Sequence, residues 1–372
     1  MPVRHAPFSW KLMYSNYITG VKGRVDSNKD CGVGEIRTLV DKAEVRLFGE
    51  AGRFETFHWS ANIHGVVIRL ITNSRHLYEF WVENWYPAPR SHTVLPHGVI
   101  YAVTGISGEA PRAYYNHETK TAVFVNTEYY GQCKSWALGM AADILETQHG
   151  IHSIHGSCAV VKGRGVVIIA PTGTGKSTHT WGLMQLPDGK IHSDDWIFLQ
   201  YKKGLAMADI SERKFYLRTD MVRSFPEIAP LLEKSMCENV VDNDFTAFGN
   251  SRALLDPEWI AGPDKFVERT AVACVILLRR DKESLPELNL NADEAVRILE
   301  EGRVLSLAGA GAKDGEFTCE PYYNPYLLVR RHKMQNDFFR LLFSAATCHI
   351  LNTGVEGVNQ TQARIRRIVD EA

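Results

Sequence analysis

The sequence lacks paired cysteines and long apolar runs. Its seven cysteines include no CxxC pair and are odd in number, which argues against a disulfide framework and against a structural zinc site. No stretch of about 18 apolar residues occurs, and residues 1–20 lack the continuous apolar core of a signal peptide. We therefore expect a reducing, cytoplasmic location, without export and without insertion into a membrane.

The sequence also lacks a charge imbalance. Its 42 Lys and Arg stand against 43 Asp and Glu, so it has no broad electrostatic footprint for nucleic acid or anionic lipid. With 372 residues, 45% of them hydrophobic, the chain is long enough for two domains or for one large one. We expect neither a nucleic acid nor a membrane as a partner, and other partners have to be inferred from local sites.

The pattern of apolar residues changes near residue 125. Short apolar runs alternate with turn residues over 45–125, in VRLFGE, GVVIRLIT, LYEFWVENW, GVIYAVTG and TAVFVNT, and predict several strands, mostly antiparallel. The later spacing predicts a helix from 134, a hairpin around Lys162-Gly163-Arg164-Gly165, strands at 190–200 and 270–279, and helices near 219–236, 292–302, 332–347 and 361–371. We therefore predict a mixed α/β protein with a β-rich N-terminal domain, 1–125, that helps to bind substrate, and a second domain, 126–372.

The stretch VVIIAPTGTGKSTH, residues 166–179, has the wording of a phosphate-binding loop, although Ala170 stands in place of the usual first glycine. In such a loop, backbone N–H groups and the following helix N-terminus bind phosphate, while Lys176 bridges phosphates and the Ser177 hydroxyl ligates Mg²⁺. The first position performs none of these roles. We therefore predict that a nucleotide binds to Pro171, Thr172, Gly173, Thr174, Gly175, Lys176, Ser177 and Thr178.

Two adjacent acids follow this loop in KIHSDDWIFL. Asp194 and Asp195 lie some 18 residues after Lys176, beside a short apolar segment. Paired acids at a strand end hold Mg²⁺ and accept a proton from an attacking hydroxyl, and the sequence leaves open which acid does which.

Three histidines precede the hairpin in QHGIHSIHGS. Their three-residue spacing would bring His149, His152 and His155 together on a helix, but Gly150 and Gly156 indicate that the helix has already ended. A structural or surface role and a ligand role both remain open from the spacing alone.

In their order along the chain, IHGSCAVV, APTGTGKST and HSDDW resemble segments of the ATP-dependent phosphoenolpyruvate carboxykinases and of the related HPr kinase/phosphorylases. The resemblance covers roughly residues 125–372 and implies a P-loop nucleotide-binding core of that type. It also implies ATP as the donor, with GTP, ADP or pyrophosphate still open, and Mg²⁺, or Mn²⁺ in its place, as the metal. His155 resembles a site histidine of both families, which implies a metal ligand or a contact to phosphate.

Further segments extend the resemblance. TEYYGQCKSW puts Lys134 on one of the paired active-site lysines of the carboxykinases, and ISERKFYLRT matches Glu212 and Tyr216 to a family segment. GNSRALLD puts Arg252 on the arginine that contacts the transferred phosphate. LAGAG at 307–311 and ILNTG at 350–354 are similar to later family segments.

Departures from the carboxykinase pattern remove support for decarboxylation. Glu109 stands about where an arginine should clamp the carboxylates of oxaloacetate, and Arg112 is the nearby cation that compensates for it. Ser135 stands in place of the second lysine. Arg213 and Lys214 replace two glycines, and they either bind an anionic acceptor or lie at the surface.

The residues for phosphoryl transfer are retained, so we expect a metal-dependent kinase that transfers the γ-phosphoryl group of ATP to a hydroxyl of a small molecule. Three alternatives stay open: a protein-serine kinase/phosphorylase of the HPr kinase type, an ATP-dependent carboxykinase, and a non-catalytic nucleotide sensor. The oligomeric state is also open. The expected catalytic residues are Lys176, Asp194, Asp195, Arg252, His155 and Glu212; the metal ligands are Ser177, Asp194, Asp195 and His155; and the substrate contacts are Lys134, Arg112, Arg213 and Lys214.

Overall fold

The fold is known from a computed structural model. It describes residues 23–49, 55–89, 95–171, 173–246, 249–301 and 327–371, and the backbone of 303–305 and 317–319. Two elements of the sequence analysis, Thr172 and the segment 307–311, lie outside these ranges.

The N-terminal part contains a seven-stranded mixed sheet, in the order β1-β6-β7-β5-β3-β2-β4. Its strands are β1 (Asp26–Asn28), β2 (Phe57–Ile63), β3 (Val66–Thr72), β4 (Tyr86–Pro87), β5 (Gly98–Val103), β6 (Arg112–Asn116) and β7 (Thr121–Val125). The pairs β1–β6, β3–β5 and β5–β7 are parallel, and the others are antiparallel. The prediction of mostly antiparallel strands is therefore wrong for the centre of this sheet, where a long connection joins β3 to β5.

Two segments that we predicted as strands are helical. VRLFGE falls on the end of α1 (Val33–Phe48), and LYEFWVENW lies largely within α2 (Arg75–Asn84). The aromatic residues of α2 suggest a strand, but its buried side chains recur at helical spacing, at Leu77, Phe80, Trp81 and Asn84. The Ser74 hydroxyl caps this helix by accepting a hydrogen bond from the Leu77 N–H at 3.3 Å.

The second part begins with α3 (Tyr130–His149), which ends at Gly150 in the left-handed conformation, as the sequence predicted for this point. A nine-stranded sheet and a three-stranded sheet follow. The strands are β8 (His152–His155), β9 (Ser157–Val161), β10 (Arg164–Ile169), β11 (Gly189–Ser193), β12 (Trp196–Lys202), β13 (Leu205–Ile210), β14 (Phe215–Arg218), β15 (Met236–Glu238), β16 (Arg252–Leu255), β17 (Arg269–Arg279), β18 (Glu287–Asn289), β19 (Arg303–Leu305), β20 (Phe317–Cys319) and β21 (Thr347–Asn352). The helices are α4 (Lys176–Met184), α5 (Ala229–Leu232), α6 (Pro257–Ala261), α7 (Ala292–Glu301), α8 (His332–Ala345) and α9 (Val358–Glu371).

The larger sheet has the order β11-β9-β10-β17-β13-β12-β8, with β21 beside β17 and β18 beside β21. The smaller sheet has the order β14-β16-β15, and β19 pairs with β20. The parallel strands β10, β17 and β21 form the centre of the larger sheet. Their carboxyl ends meet at one edge, which is where ligands bind in open α/β sheets.

Most predictions for this part are confirmed. The hairpin is β9–β10, α4 begins at Lys176, and β17, α7, α8 and α9 lie where the spacing predicted them. The predicted strand at 190–200 is two strands, which separate at Asp194-Asp195. The predicted helix at 219–236 is wrong: the segment contains two short 3-10 turns and the single turn α5, because Pro226 and Pro230 interrupt helical hydrogen bonding.

The largest apolar cluster joins the two parts of the chain. It contains Phe80 and Trp81 of α2, Trp136 of α3, and Trp196 and Phe198 of β12. The division at residue 125 stays a prediction. No helix within the described ranges is long and apolar enough to cross a membrane.

Candidate active site

The backbone between β10 and α4 contains two glycines in conformations that favour this residue. Gly173 and Gly175 have positive φ angles of 83° and 104°, which residues other than glycine rarely adopt. The Thr174 hydroxyl donates to the carbonyl of Pro171 at 2.7 Å, and the Thr353 hydroxyl donates to the carbonyl of Thr174 at 3.0 Å. The loop is therefore held against the carboxyl end of β21, in the ILNTG segment.

Lys176, the first residue of α4, reaches the break between β11 and β12. Its Nζ donates to the backbone carbonyl of Asp194 at 2.8 Å and to Oδ1 of Asp195 at 2.7 Å. His155, at the end of β8, pairs with Trp196 in the sheet, and its Nε2 lies 3.0 Å from the same Oδ1. The structure thus brings together Lys176, His155 and the acid pair, which were inferred separately from the sequence.

The two acids have opposite electrostatic environments. Burial, followed by the charge of Asp195, raises the pKa of the Asp194 carboxyl to about 7. Burial alone would also raise the pKa of Asp195, but Lys176 and then His155 hold it well below its usual range. Burial lowers the pKa of His155, although the neighbouring Asp195 opposes this shift. Asp195 is therefore a fixed anion, whereas Asp194 changes its protonation state near neutrality.

A buried ion pair lies behind these acids. Lys134 of α3 is 2% exposed, and its Nζ lies 2.9 Å from both carboxylate oxygens of Glu212 and 3.7 Å from Oδ2 of Asp195. Burial alone would lower the pKa of Lys134, but Glu212, Asp195 and Asp194 together raise it. Asn84 Nδ2 also donates to Glu212, at 2.9 Å. Glu212 therefore acts on the site through Lys134.

The sequence analysis missed a second buried carboxylate, that of Glu238. It accepts hydrogen bonds from the backbone N–H groups of Tyr130 and Gly131, at 3.0 and 3.1 Å, and from the Tyr216 hydroxyl. His76 Nε2 lies 3.1 Å from it. A carboxylate at the N-terminus of α3 is favoured by the helix dipole. Tyr216 in turn lies against Lys134, whose Nζ is 5.3 Å from the ring centre.

The loop, the acids and Lys134 line one cavity of about 570 Å³. Gly131 and Tyr216 contribute to another part of its wall, and Ser177 and Thr178 to the loop side. The cavity is also lined by five arginines: Arg24, Arg218, Arg223, Arg252 and Arg280. Arg252 is half-buried and donates through Nη1 to the carbonyls of Gly249 and Ser251, at 3.2 and 3.0 Å.

Three cations that we predicted as substrate contacts do not line this cavity. Arg213 pairs with Glu83 at 3.3 Å, and Lys214 pairs with Asp256 at 2.5 Å. Arg112 is exposed on β6. Glu109, the residue at the expected position of a carboxylate-clamping arginine, is likewise outside the lining, where it pairs with Lys42 at 2.6 Å.

Among the residues with described side chains, no group of three or more His, Cys, Asp or Glu residues is arranged to hold a metal ion. Protein groups alone therefore do not form a closed metal cage in this part of the chain. Mg²⁺ bound together with a nucleotide needs only one or two carboxylates, because phosphate oxygens and water complete its ligand set.

No protein-family profile matches the sequence, and no curated protein matches it. One solved structure with some likeness is the HPr(Ser) kinase/phosphatase from Coxiella burnetii, at 12% identity and a TM-score of 0.32, over 59% of this chain and 89% of that chain.

Proposed function

We propose that this chain is a metal-dependent kinase that transfers the γ-phosphoryl group of ATP to a hydroxyl of a small molecule. The observation that carries the proposal is the convergence of Lys176 and the pair Asp194-Asp195 at the N-terminus of α4, inside one cavity. This combination of a loop lysine, a helix N-terminus and paired acids suits phosphoryl transfer.

The loop backbone fits a triphosphate. The positive φ angles of Gly173 and Gly175 give the tight backbone path that a phosphate-binding loop needs, and the N-terminus of α4 adds its partial positive charge. A volume of about 570 Å³ lies within the range of nucleotide-sized ligand sites. ATP is therefore bound through the phosphate-loop residues 171–178, with Lys176 against its phosphates.

The donor set also fits Mg²⁺, or Mn²⁺ in its place. Ser177 lines the cavity beside the acids, and hydroxyl and carboxylate oxygens are the ligands that these ions prefer. Ser177 and Asp195 would hold the ion. When bound, the metal neutralises phosphate charge. The contact of His155 with Asp195 favours an orienting role for this histidine over ligation.

Asp194 is the better candidate for the general base. Its raised pKa, near 7, suits proton transfer at neutral pH, whereas Asp195 is already held by Lys176 and His155. In the reaction the acceptor oxygen forms a bond to the γ-phosphorus, and the bond from that phosphorus to the β-phosphate oxygen breaks. The hydroxyl proton moves to Asp194, and ADP leaves.

Arg252 and Lys134 complete the charge pattern. A half-buried guanidinium on the cavity wall is suited to neutralising the moving phosphoryl group. Lys134, fixed by Glu212, keeps positive charge beside Asp195 at the cavity wall.

The proposal is tested by incubating the protein with ATP, Mg²⁺ and a metabolite extract, followed by mass spectrometry. We expect a new species heavier by one phosphoryl group. The variant Asp194→Asn should not form it, whereas Asp188→Asn, in an exposed turn, should form as much as wild type. A phosphorylated protein in place of a small molecule would favour a protein kinase. Formation of phosphoenolpyruvate from oxaloacetate would favour a carboxykinase, and ATP binding without any product would favour a sensor.

A further inference from the structure

The cavity carries more positive charge than its own carboxylates balance. Lys134 and Lys176 both contact Asp195, and Arg218 pairs with Asp220. In the described part of the chain, however, Arg223, Arg252 and Arg280 form no ion pair with a carboxylate. Bound magnesium neutralises part of the triphosphate charge, so the nucleotide alone does not use all of these cations. Clustered guanidinium groups without counter-charges are typical of anion-binding surfaces.

These arginines come from two different parts of the fold. Arg280 follows β17, next to Thr353, whose hydroxyl contacts the phosphate loop; this is the nucleotide side. Arg218 and Arg252 come from the separate three-stranded sheet, and Arg223 ends the 3-10 turn after β14. This second group therefore comes from elements that do not carry the phosphate loop.

The register of the small sheet brings two of these charges together. Arg218 and Arg252 are direct partners in the antiparallel pair β14–β16, and both line the cavity. Like charges directly opposite each other on neighbouring strands destabilise a sheet. Glu238 of β15 lies opposite Arg252 on its other side and offsets part of this repulsion for Arg252, whereas Arg218 is at the edge strand. Asp220 relieves part of this repulsion through two contacts with Arg218, from Nε to Oδ1 at 3.0 Å and from Nη2 to Oδ2 at 2.5 Å, which fix the direction of that guanidinium.

The segment 217–224 runs along the edge of the cavity, and all but two of its residues line it. Arg218 and Arg223 are the exposed cations of this edge, so a ligand reaches them without rearrangement of the core. We propose that the acceptor carries, besides its hydroxyl, a carboxylate or a phosphate, and that Arg218 and Arg223 bind this oxyanion. The inference rests on the proposed function and adds the chemical class of its acceptor.

The geometry explains how one site handles two anions. A planar guanidinium binds carboxylate or phosphate in a bidentate manner, and among the described residues Arg223 pairs with no carboxylate. Arg218, whose Nε and Nη2 are on Asp220, adds its positive charge beside it. Anchoring of its anionic end on the 217–224 edge leaves the hydroxyl end to face Asp194 and the moving phosphoryl group. Such anchoring lowers the entropic cost of bringing two reactants together.

The test is a calorimetric titration of the full chain saturated with Mg²⁺ and the non-hydrolysable analogue AMPPNP, which occupies the phosphate loop. Orthophosphate, glycerate and the neutral control glycerol are titrated separately into wild type, Arg218→Gln, Arg223→Gln and the control Arg164→Gln. Arg164 is exposed in the β9–β10 hairpin and does not line the cavity. The two anionic probes separate a phosphate preference from a carboxylate preference.

We expect at least one anion to bind wild type and the Arg164 variant, and glycerol to bind neither. Loss of one charge-assisted contact should weaken anion binding roughly tenfold to hundredfold in the Arg218 and Arg223 variants, with AMPPNP affinity unchanged. Anion binding that is absent from wild type, or equal in all variants, overturns the inference. If AMPPNP itself fails to bind, the proposed function fails; the same anion titration on the ligand-free protein then decides the oxyanion site separately.

Discussion

The substitution Lys134→Met removes one member of the buried ion pair with Glu212 while it keeps most of the side-chain volume. Lys134 is 2% exposed and Glu212 is 8% exposed, so water does not replace the lost contact. The Glu212 carboxylate would retain the amide of Asn84, at 2.9 Å, as a hydrogen-bond donor. Breaking a buried pair from one side costs about 3–5 kcal/mol, since a charge is left without its counter-ion.

The assay is urea unfolding followed by the fluorescence of the eight tryptophans. The double variant Lys134→Met/Glu212→Met should be less destabilised than the sum of the single variants by at least about 1 kcal/mol, because no unpaired charge remains. Lys42→Met is the matched control. Its pair with Glu109 has side chains 47% and 28% exposed, and its loss should cost less than about 1 kcal/mol.

The reasoning is refuted if Lys134→Met costs no more than Lys42→Met, or if the double variant equals the sum of the single variants. Either result would mean that Lys134 does not neutralise Glu212 in the folded protein. Lys134→Met should also reduce phosphoryl transfer more than it reduces nucleotide affinity, because Lys134 adjoins Asp195 and not the loop backbone.

Three further predictions concern Asp194, Gly175 and Tyr216. Asp194→Asn should bind ATP as wild type does but lose at least about 100-fold in transfer rate. Because the raised pKa of Asp194 keeps it protonated in acid, wild-type kcat/KM should rise with pH up to about 7; a flat profile over pH 5–7 in steady-state kinetics argues against this base. Gly175→Ala, at φ 104°, should cost about 1–3 kcal/mol in urea unfolding and should weaken ATP binding in calorimetry. The control Gly204→Ala, at φ 79° in an open turn, should lower stability through backbone strain but leave ATP binding unchanged. Equal ATP affinities of the two variants would exclude a role of the loop in binding. Tyr216→Phe should cost about 1–3 kcal/mol in the same unfolding assay, because buried Glu238 loses a donor, and a neutral result would contradict that contact.

Local features of the site could be predicted from the sequence. The phosphate loop, the start of α4 at Lys176 and the following acids depend on spacing within about 30 residues, and short-range chemistry determines them. The contact between His155 and Asp195 was harder to predict, because it depends on the pairing of β8 with β12. His155 itself was identified through the family resemblance.

Features that depend on long-range packing were missed. Glu238 contacts the N-terminus of α3, 107 residues away along the chain, and no local pattern marks it. Arg218 is the last residue of β14, whose partner β16 lies beyond an intervening loop, so its position opposite Arg252 depends on sheet register. The signal that the sequence did contain was the LRTDMVR segment, with two arginines close to a site residue, Tyr216.

The errors in secondary structure have a related cause. The α2 helix was read as a strand because Tyr, Phe, Trp and Val are strand formers, whereas its period of burial is helical. The pair β3–β5 is parallel because α2 lies in the connection between these strands, and a helical crossover permits parallel pairing. The mistaken α2 helix therefore accounts for one missed element and for the wrong direction of this pair.

The central claim is that the loop at 171–178 binds the phosphates of a nucleotide, and calorimetric titration of Mg²⁺ and ATP into wild type and Lys176→Met tests it most directly. We predict saturable binding to wild type and an affinity at least roughly tenfold lower for Lys176→Met, since a charge-assisted phosphate contact is lost. Lys190→Met, at an exposed position on β11, should bind as wild type does. Equal affinities of wild type and Lys176→Met, or no binding to wild type, would contradict the claim.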